Sequence, residues 1–191
     1  MPAIASAFRF ALLAAVAVLL SACETPVDVT SAAAREPLGD FKLGFAVAYA
    51  DNAEKGPLSR DASEEEWETA IKAELQRVFG GYEGTRYYHL SLTVNGYVLA
   101  QPGIPVVASP KSALIVSLFV WDDKTQTKLV EDEQFTITEN LTGRSILGSG
   151  LTKSREEQLD ELTKLAVGKV YDYLRENKQL FNASGTAATD T

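Results

Sequence analysis

Ala113-Leu-Ile-Val-Ser-Leu-Phe-Val-Trp121 is the stretch of sequence that decides the fold, because it is apolar on both faces of an extended chain. A strand of this kind belongs in the middle of a sheet, where helices cover one face. We therefore expect a central strand here, partly shielded on its other face.

Three further strands are predicted from the alternation of apolar and polar residues. The first has its apolar residues at Phe41, Leu43, Phe45, Val47 and Tyr49, which predicts one buried face. The second has them at Leu90, Leu92, Val94 and Val98. The last runs through Leu129, Glu131, Glu133, Phe135 and Ile137, after a polar connection at 122–127. Its acidic middle places this last strand at or near a sheet edge.

Two helices have clear starting signals. Ser63 with Glu66, and Ser154 with Glu157, each have the spacing of a capping box, in which serine and glutamate satisfy backbone donors of the first turn. Apolar residues at helical spacing follow the first box at Trp67, Ala70, Ile71, Leu75, Val78 and Phe79, with Glu74 as the polar exception. They follow the second at Leu159, Leu162, Leu165, Ala166, Val170, Tyr173 and Leu174.

The order of these elements, β-α-β-β-β-α, indicates an α+β fold. We expect a two-layer sandwich in which a four-stranded, mostly antiparallel sheet carries two helices on one face. The chain is predicted to consist of a cleaved signal peptide at 1–22, a lipid anchor and flexible tether at 23–38, one domain at 39–181 and a disordered tail at 182–191.

The amino-terminal segment has the form of an export signal. Arg9 precedes the apolar run Phe10–Leu20, which is too short to span a bilayer, since that needs about 20 apolar residues. Leu20, Ser21 and Ala22 then lead to Cys23, the single cysteine of the chain.

This pattern resembles the processing site of bacterial lipoproteins. The resemblance implies that Leu20, Ser21 and Ala22 are recognised for cleavage and that Cys23 is the site of lipid attachment. Glu24 stands where enterobacterial inner-membrane lipoproteins carry aspartate, so the resemblance also implies an outer-membrane location facing the periplasm. The lipid would anchor the chain to the membrane, because each buried methylene contributes about 0.8 kcal/mol.

The charge of the chain excludes one class of partner. Removal of residues 1–22 takes away Arg9 alone, so the formal net charge changes from −8 to −9. Nucleic acid is therefore not expected as a partner, because its binding depends on basic groups that neutralise phosphates.

The domain also resembles small envelope lipoproteins of the transport-auxiliary type, which include lipoprotein partners of lipid-trafficking ABC systems. The resemblance is carried by the element order, Trp67 in the first helix, the strand ending Leu118-Phe-Val-Trp-Asp-Asp123 and the long closing helix. Gln126 departs from the pattern, because such proteins often have glycine at this turn position.

No constellation of residues points to catalysis, a metal or a cofactor. His89 is the single histidine and lies on the polar face of a strand, and the G-x-S-x-G motif does not occur. In the glycine-rich segment 143–154, Thr152 stands where a P-loop requires glycine. The acidic runs 64–66 and 131–133 are interpreted as a helix start and an exposed strand. We therefore expect no enzyme activity.

The loop 100–110 has three prolines and three apolar residues, Ile104, Val106 and Val107, which are candidate partner contacts. The alternative is that this loop folds back to cap the open end of the sheet. The leading hypothesis is a non-catalytic accessory lipoprotein, or adaptor, for an envelope protein complex. Two alternatives are a lipid- or small-ligand-binding module with a crevice between sheet and helices, and a hydrolase with converging carboxylates.

Overall fold

The strands and helices follow one another in the predicted order. The structure, a computed structural model, describes residues 36–101, 112–139 and 153–182. Its elements are β1 Phe41–Tyr49, β2 Glu54–Lys55, α1 Glu64–Phe79, β3 Arg86–Val98, β4 Ala113–Asp122, β5 Thr127–Thr138, α2 Arg155–Glu176 and a 3₁₀ helix Lys178–Phe181. The α+β fold class is confirmed. The two-residue strand β2 is an addition to the four predicted strands, because it is too short to show an alternation pattern.

The sheet is mixed, with β3 and β4 in its middle. The strand order is β1-β3-β4-β5, and β2 pairs with β3 beyond the end of β1. Both β1 and β2 run parallel to β3, whereas β3 with β4 and β4 with β5 are antiparallel. The central position of β4 and the edge position of β5 agree with the sequence analysis.

Both helices cover the same face of this sheet. Helix α1 packs mainly on β1, α2 packs on β4 and β5, and the two helices contact each other. The core between the layers is filled by fully buried side chains from every layer: Trp67, Ile71, Leu75, Leu90, Leu92, Leu114, Val116, Leu118, Leu162 and Val170. Leu165, predicted to face this core, is exposed, and α2 instead turns Thr163, Val167 and Tyr171 inwards.

Each helix begins at its predicted capping box. Ser63 Oγ accepts from the backbone N–H of Glu66 at 3.2 Å, and Glu66 Oε2 accepts from the N–H of Ser63 at 2.8 Å. Ser154 and Glu157 make the same reciprocal pair at 3.1 and 2.7 Å. These serines and glutamates satisfy donors that a helix start leaves without intrahelical partners.

The described end of the predicted tether packs on the domain. Leu38 is fully buried, and the N–H of Glu36 donates to the hydroxyl of Tyr171 at 3.2 Å. Tyr82 donates from its hydroxyl to the carbonyl of Glu36 at 2.8 Å, and Arg175 forms an ion pair with its carboxylate at 3.3 Å. Within the described residues, the chain therefore already packs on the domain at Glu36, three residues before the predicted boundary.

The predicted buried face of β1 is wrong beyond Leu43. The register between β1 and β3 shifts between Leu43 and Ala46, so that Ala46 and Ala48 pair with the core residues Leu90 and Leu92. The shift reverses the alternation. The three remaining residues of the predicted buried set therefore point to the opposite face of the sheet: Phe45, Val47 and Tyr49.

Candidate interaction surface

The face of the sheet opposite the helices is called the open face. Its side chains follow from the strand registers, as the neighbours of residues that point into the core. They are Lys42, Phe45, Val47 and Tyr49 of β1; Tyr87, His89, Ser91, Thr93 and Asn95 of β3; Ile115, Ser117, Phe119 and Trp121 of β4; and Lys128, Gln134 and Thr136 of β5.

Several aromatic side chains on this face are exposed to solvent. Phe45 is 68% exposed, Tyr49 is 50% exposed and Tyr87 is 46% exposed. Phe119 and Trp121 add two half-buried rings on β4. Burial of apolar surface contributes about 25 cal/mol per Å², so rings left in water are available to stabilise contact with a partner. The open face is therefore the candidate interaction surface of the described residues.

The exposure of Phe45 results from a strand irregularity around Gly44. A Cβ atom at Gly44 would lie 2.4 Å from His89 Nδ1, so only glycine allows the imidazole this close to β1. The N–H of Phe45 donates to His89 Nδ1 at 3.0 Å, and the two rings are 4.9 Å apart. His89 therefore holds the backbone of Phe45 in the position that turns its ring outwards.

The same geometry assigns the tautomer of His89. Because Nδ1 accepts from Phe45, the neutral ring has its proton on Nε2, which faces Asp123 Oδ1 at 3.2 Å. Both ring nitrogens thus have partners, one on β1 and one in the β4–β5 turn. His89 therefore links these two segments, and it lies on the face of β3 opposite the core, as its strand pattern predicts.

A cleft at one end of the open face has both acidic and basic side chains in its lining. This cleft has a volume of about 310 Å³ and is lined by Asp40, Thr85, Arg86, Tyr87, Asp123 and Lys124. Hydrogen bonds from the Thr85 hydroxyl and N–H lower the pKa of Asp40. Burial alone would raise the pKa of nearby Asp122, but hydrogen bonds from Arg86 and the turn outweigh it and lower that pKa. Both carboxylates therefore already accept hydrogen bonds from residues of the domain: Asp40 from Thr85, and Asp122 from Arg86.

A second cleft opens at the other end of the open face. It has a volume of about 640 Å³ and lies where β2 meets β3, β4 and β5. Its lining mixes apolar residues with amides and includes Val98, Ala113, Ile115, Asn95 and Gln134. It is open to solvent and lies on the side of the sheet away from the helices. Core side chains occupy the middle of the space between sheet and helices, and a cleft of about 470 Å³ opens at its end beside Ala50, Trp67 and Tyr97.

Most of the predicted site residues lie outside the described part of the chain. This applies to the processing site Leu20, Ser21 and Ala22, to the lipid-attachment residue Cys23, and to the loop contacts Ile104, Val106 and Val107. Ser112 joins the two ends of this loop, because its Oγ accepts from Ala100 N–H at 3.3 Å. Its carbonyl also accepts from the N–H of Glu139, the residue that follows β5, at 3.1 Å.

The acidic runs occupy the positions expected of them. Residues 64–66 form the first turn of α1, and residues 131–133 lie on the edge strand β5. Within ranges 36–101, 112–139 and 153–182, no group of three or more His, Cys, Asp or Glu side chains is placed to hold a metal ion. Over the same ranges, no helix combines the length and apolar character needed to cross a bilayer.

Comparisons with known proteins find similarity to solved structures only. No protein-family model matches the sequence, and no curated protein matches it either. A protein of the family DUF330 from Xanthomonas campestris is 12% identical, with 72% of this chain and 88% of that chain covered and a TM-score of 0.42.

Two further structures are described as lipoproteins. A candidate lipoprotein from Caulobacter crescentus is 11% identical, with coverage of 74% and 92% and a TM-score of 0.35. A minor lipoprotein from Acinetobacter baumannii is 14% identical, with coverage of 72% and 94% and a TM-score of 0.29. All of these TM-scores are below 0.5.

Proposed function

We propose that this chain is a non-catalytic lipoprotein of the bacterial cell envelope, an accessory or adaptor subunit of an envelope protein complex. The anchor is Cys23, and Glu24 favours the outer membrane, with the domain facing the periplasm. The observation that carries the proposal is the open face, where Phe45, Tyr49 and Tyr87 are about half exposed or more.

A protein partner fits this face better than a nucleic acid or a small charged substrate. Aromatic rings interleaved with hydroxyl and amide side chains are typical of the central part of protein interfaces. The basic groups on the face are few and engaged, since Lys42 lies over the ring of Tyr87 at 5.0 Å and Lys128 pairs with Glu131. His89 braces the fold through both ring nitrogens, which leaves it no role as a general base.

The proposal is tested by placing a photo-crosslinking amino acid at Tyr87 in cells that produce the anchored chain. We expect adducts with one envelope protein, recovered in every replicate. The matched control places the same amino acid at Lys169, an exposed position on α2, and should give none of this adduct. Cys23→Ser should reduce the adduct, because the unanchored chain is no longer held beside a membrane complex. Equal adducts from both positions, or adducts with lipid alone, would count against the accessory role.

The larger cleft supports a second candidate, a lipid- or small-ligand-binding module. Its volume of about 640 Å³ falls in the range of small-molecule sites, and Val98, Ala113 and Ile115 offer apolar contacts. Native mass spectrometry of the purified chain tests this candidate. A co-purifying ligand that disappears in Ile115→Asp would favour it, whereas an unliganded mass would count against it.

A further inference from the structure

The two edges of the sheet differ in how they are protected from pairing with another chain. A sheet edge presents unpaired N–H and C=O groups, and charged residues or bulges normally block it. The edge strand β5 has Glu131, Asp132 and Glu133, two register shifts relative to β4, and a left-handed residue at Asp132. These features make β5 a poor template for a further strand.

The other edge strand, β1, has none of these protections after its irregularity at Gly44. Residues 45–49 contain no charged residue and no proline. Ala46 to Tyr49 run in regular register with β3, so this part of the strand contains no further bulge. Among the described residues, no strand pairs with the outer edge of β1. The two most exposed aromatic residues of the open face, Phe45 and Tyr49, lie on this same edge.

The segment 45–49 reads Phe-Ala-Val-Ala-Tyr, which has the same pattern in both directions around Val47. Two such segments aligned antiparallel about a two-fold axis at Val47 would place like residues opposite each other. Phe45 would face Tyr49 of the second copy, and Ala46 would face Ala48 of the second copy. The aromatic pairs would lie on the open face and the alanine pairs on the helix side. Residues that face each other in the two strands would therefore point to the same side of the joined sheet.

We propose that β1 pairs with β1 of a second copy of this chain, antiparallel and centred on Val47. A two-fold interface requires one self-complementary patch, which this pattern provides. Cross-strand aromatic pairs would cover part of the exposed rings of Phe45 and Tyr49. The two sheets then form one continuous sheet, and their open faces form one wider surface. The inference goes beyond the proposed function and does not rest on it.

The first experiment measures the oligomeric state of the mature chain carrying Cys23→Ser by analytical ultracentrifugation over a dilution series. We expect a monomer–dimer equilibrium. Val47→Lys places two like charges at the axis and should weaken the dimer by at least about 10-fold. Thr136→Lys, on the open face of β5, is the control and should leave the equilibrium unchanged. A wild-type monomer at every concentration, or an assembly larger than a dimer, would overturn the proposal.

Two further variants extend the test, and the second of them, Val47→Cys, keeps it decisive if Val47→Lys does not fold. A mixture of Val47→Lys and Val47→Asp should restore a heterodimer, because opposite charges then meet at the axis. Val47→Cys should give a disulfide-linked dimer under mild oxidation, because facing residues of antiparallel strands are about 4.5–5.5 Å apart between Cα atoms. Thr136→Cys should give no disulfide-linked dimer under the same conditions. A dimer that forms without a Val47→Cys link would overturn the β1 pairing. These readouts use purified protein, so they can fail separately from the crosslinking in cells.

Discussion

At the scale of the residue, Glu66 links the starts of the two helices. Its carboxylate caps α1 by accepting from Ser63 N–H, and it also accepts from Arg155, the first residue of α2, at 2.5 and 2.8 Å. The hydrogen bonds from Arg155, followed by that from Ser63, lower the pKa of Glu66 from 4.5 to about 2. One side chain thereby connects two capping sites that are far apart in sequence.

This residue predicts a pH dependence of stability. Because folding lowers the pKa of Glu66, its contribution is present above pH 4.5 and is lost as the pH falls through about 2. The side chain is 39% exposed, so solvent screening limits the contribution to about 1 kcal/mol. Glu66→Gln keeps a side chain that can cap but removes the charge. Urea unfolding is measured at about pH 5 and about pH 2, which bracket the unfolded and folded pKa values of Glu66. Between these two pH values, the variant should lose less free energy of unfolding than wild type.

Glu157→Gln is the control for this prediction. Glu157 holds the equivalent capping position of α2, and no described residue forms an ion pair with it. Glu157→Gln removes a capping carboxylate without removing an ion pair, so it serves as the matched change for Glu66→Gln. If Glu66→Gln and Glu157→Gln gave the same profile, the ion pair with Arg155 would not be the cause.

At the scale of the element, the β4–β5 hairpin contains a residue in an unfavourable conformation. Gln126 has a φ of 56° and donates its N–H to the carbonyl of Asp122 at 2.9 Å. A left-handed residue before the second strand is a common feature of hairpins and is usually glycine. The turn therefore has the geometry of a glycine position but holds a glutamine.

Gln126→Gly should therefore stabilise the domain. A non-glycine residue in this region costs about 1–2 kcal/mol, and the greater unfolded-state entropy of glycine offsets about half of the gain. We expect the free energy of unfolding to rise by about 0.5 kcal/mol in a urea titration. Gln126→Ala loses the same hydrogen bond from Nε2 to the Asp123 carbonyl as the glycine variant but keeps the strained conformation, so it should be no more stable than wild type. A glycine variant less stable than the alanine variant would contradict this account of the turn.

The elements were predictable from the sequence where periodicity and capping agree. Both capping boxes lie where their serine and glutamate spacing indicates, and the apolar stretch at β4 lies in the middle of the sheet. Such signals are local, because each depends on residues within a turn or a few pleats of one another.

The candidate surface was not predicted, because its origin is not local. Alternation assumes a regular pleat, and the irregularity between Leu43 and Ala46 reverses which side chains are buried. Gly44 was the available signal, since a glycine inside a strand pattern often marks a bulge. Its cause is His89 on the neighbouring strand, 45 residues further along the chain, which no inspection of β1 alone reveals.

At the scale of the whole molecule, the proposed anchor and the described domain are separate in sequence. Cys23 precedes Glu36, the first described residue, and the core residues of the described domain lie within 36–182. We therefore expect Cys23→Ser to abolish attachment without weakening the domain.

This prediction is checked with a fatty-acid label and membrane fractionation. Wild type should be labelled and sediment with membranes, because acyl chains contribute about 0.8 kcal/mol per buried methylene. Cys23→Ser should be unlabelled and soluble, with an unchanged thermal unfolding midpoint. A soluble, unlabelled wild type would refute the lipid anchor, and a destabilised variant would show that Cys23 contributes to the fold.

Glu36, which contacts Tyr171, Tyr82 and Arg175, limits how far the described domain could lie from a lipid on Cys23. About a dozen residues then remain between Cys23 and the packed chain, which can reach at most roughly 40 Å when fully extended. A lipidated domain would be restricted to a thin layer next to the bilayer and would search it in two dimensions. Copies on one membrane would meet far more often than the same number dispersed in the periplasm, so even a weak pairing of two chains would be well populated there.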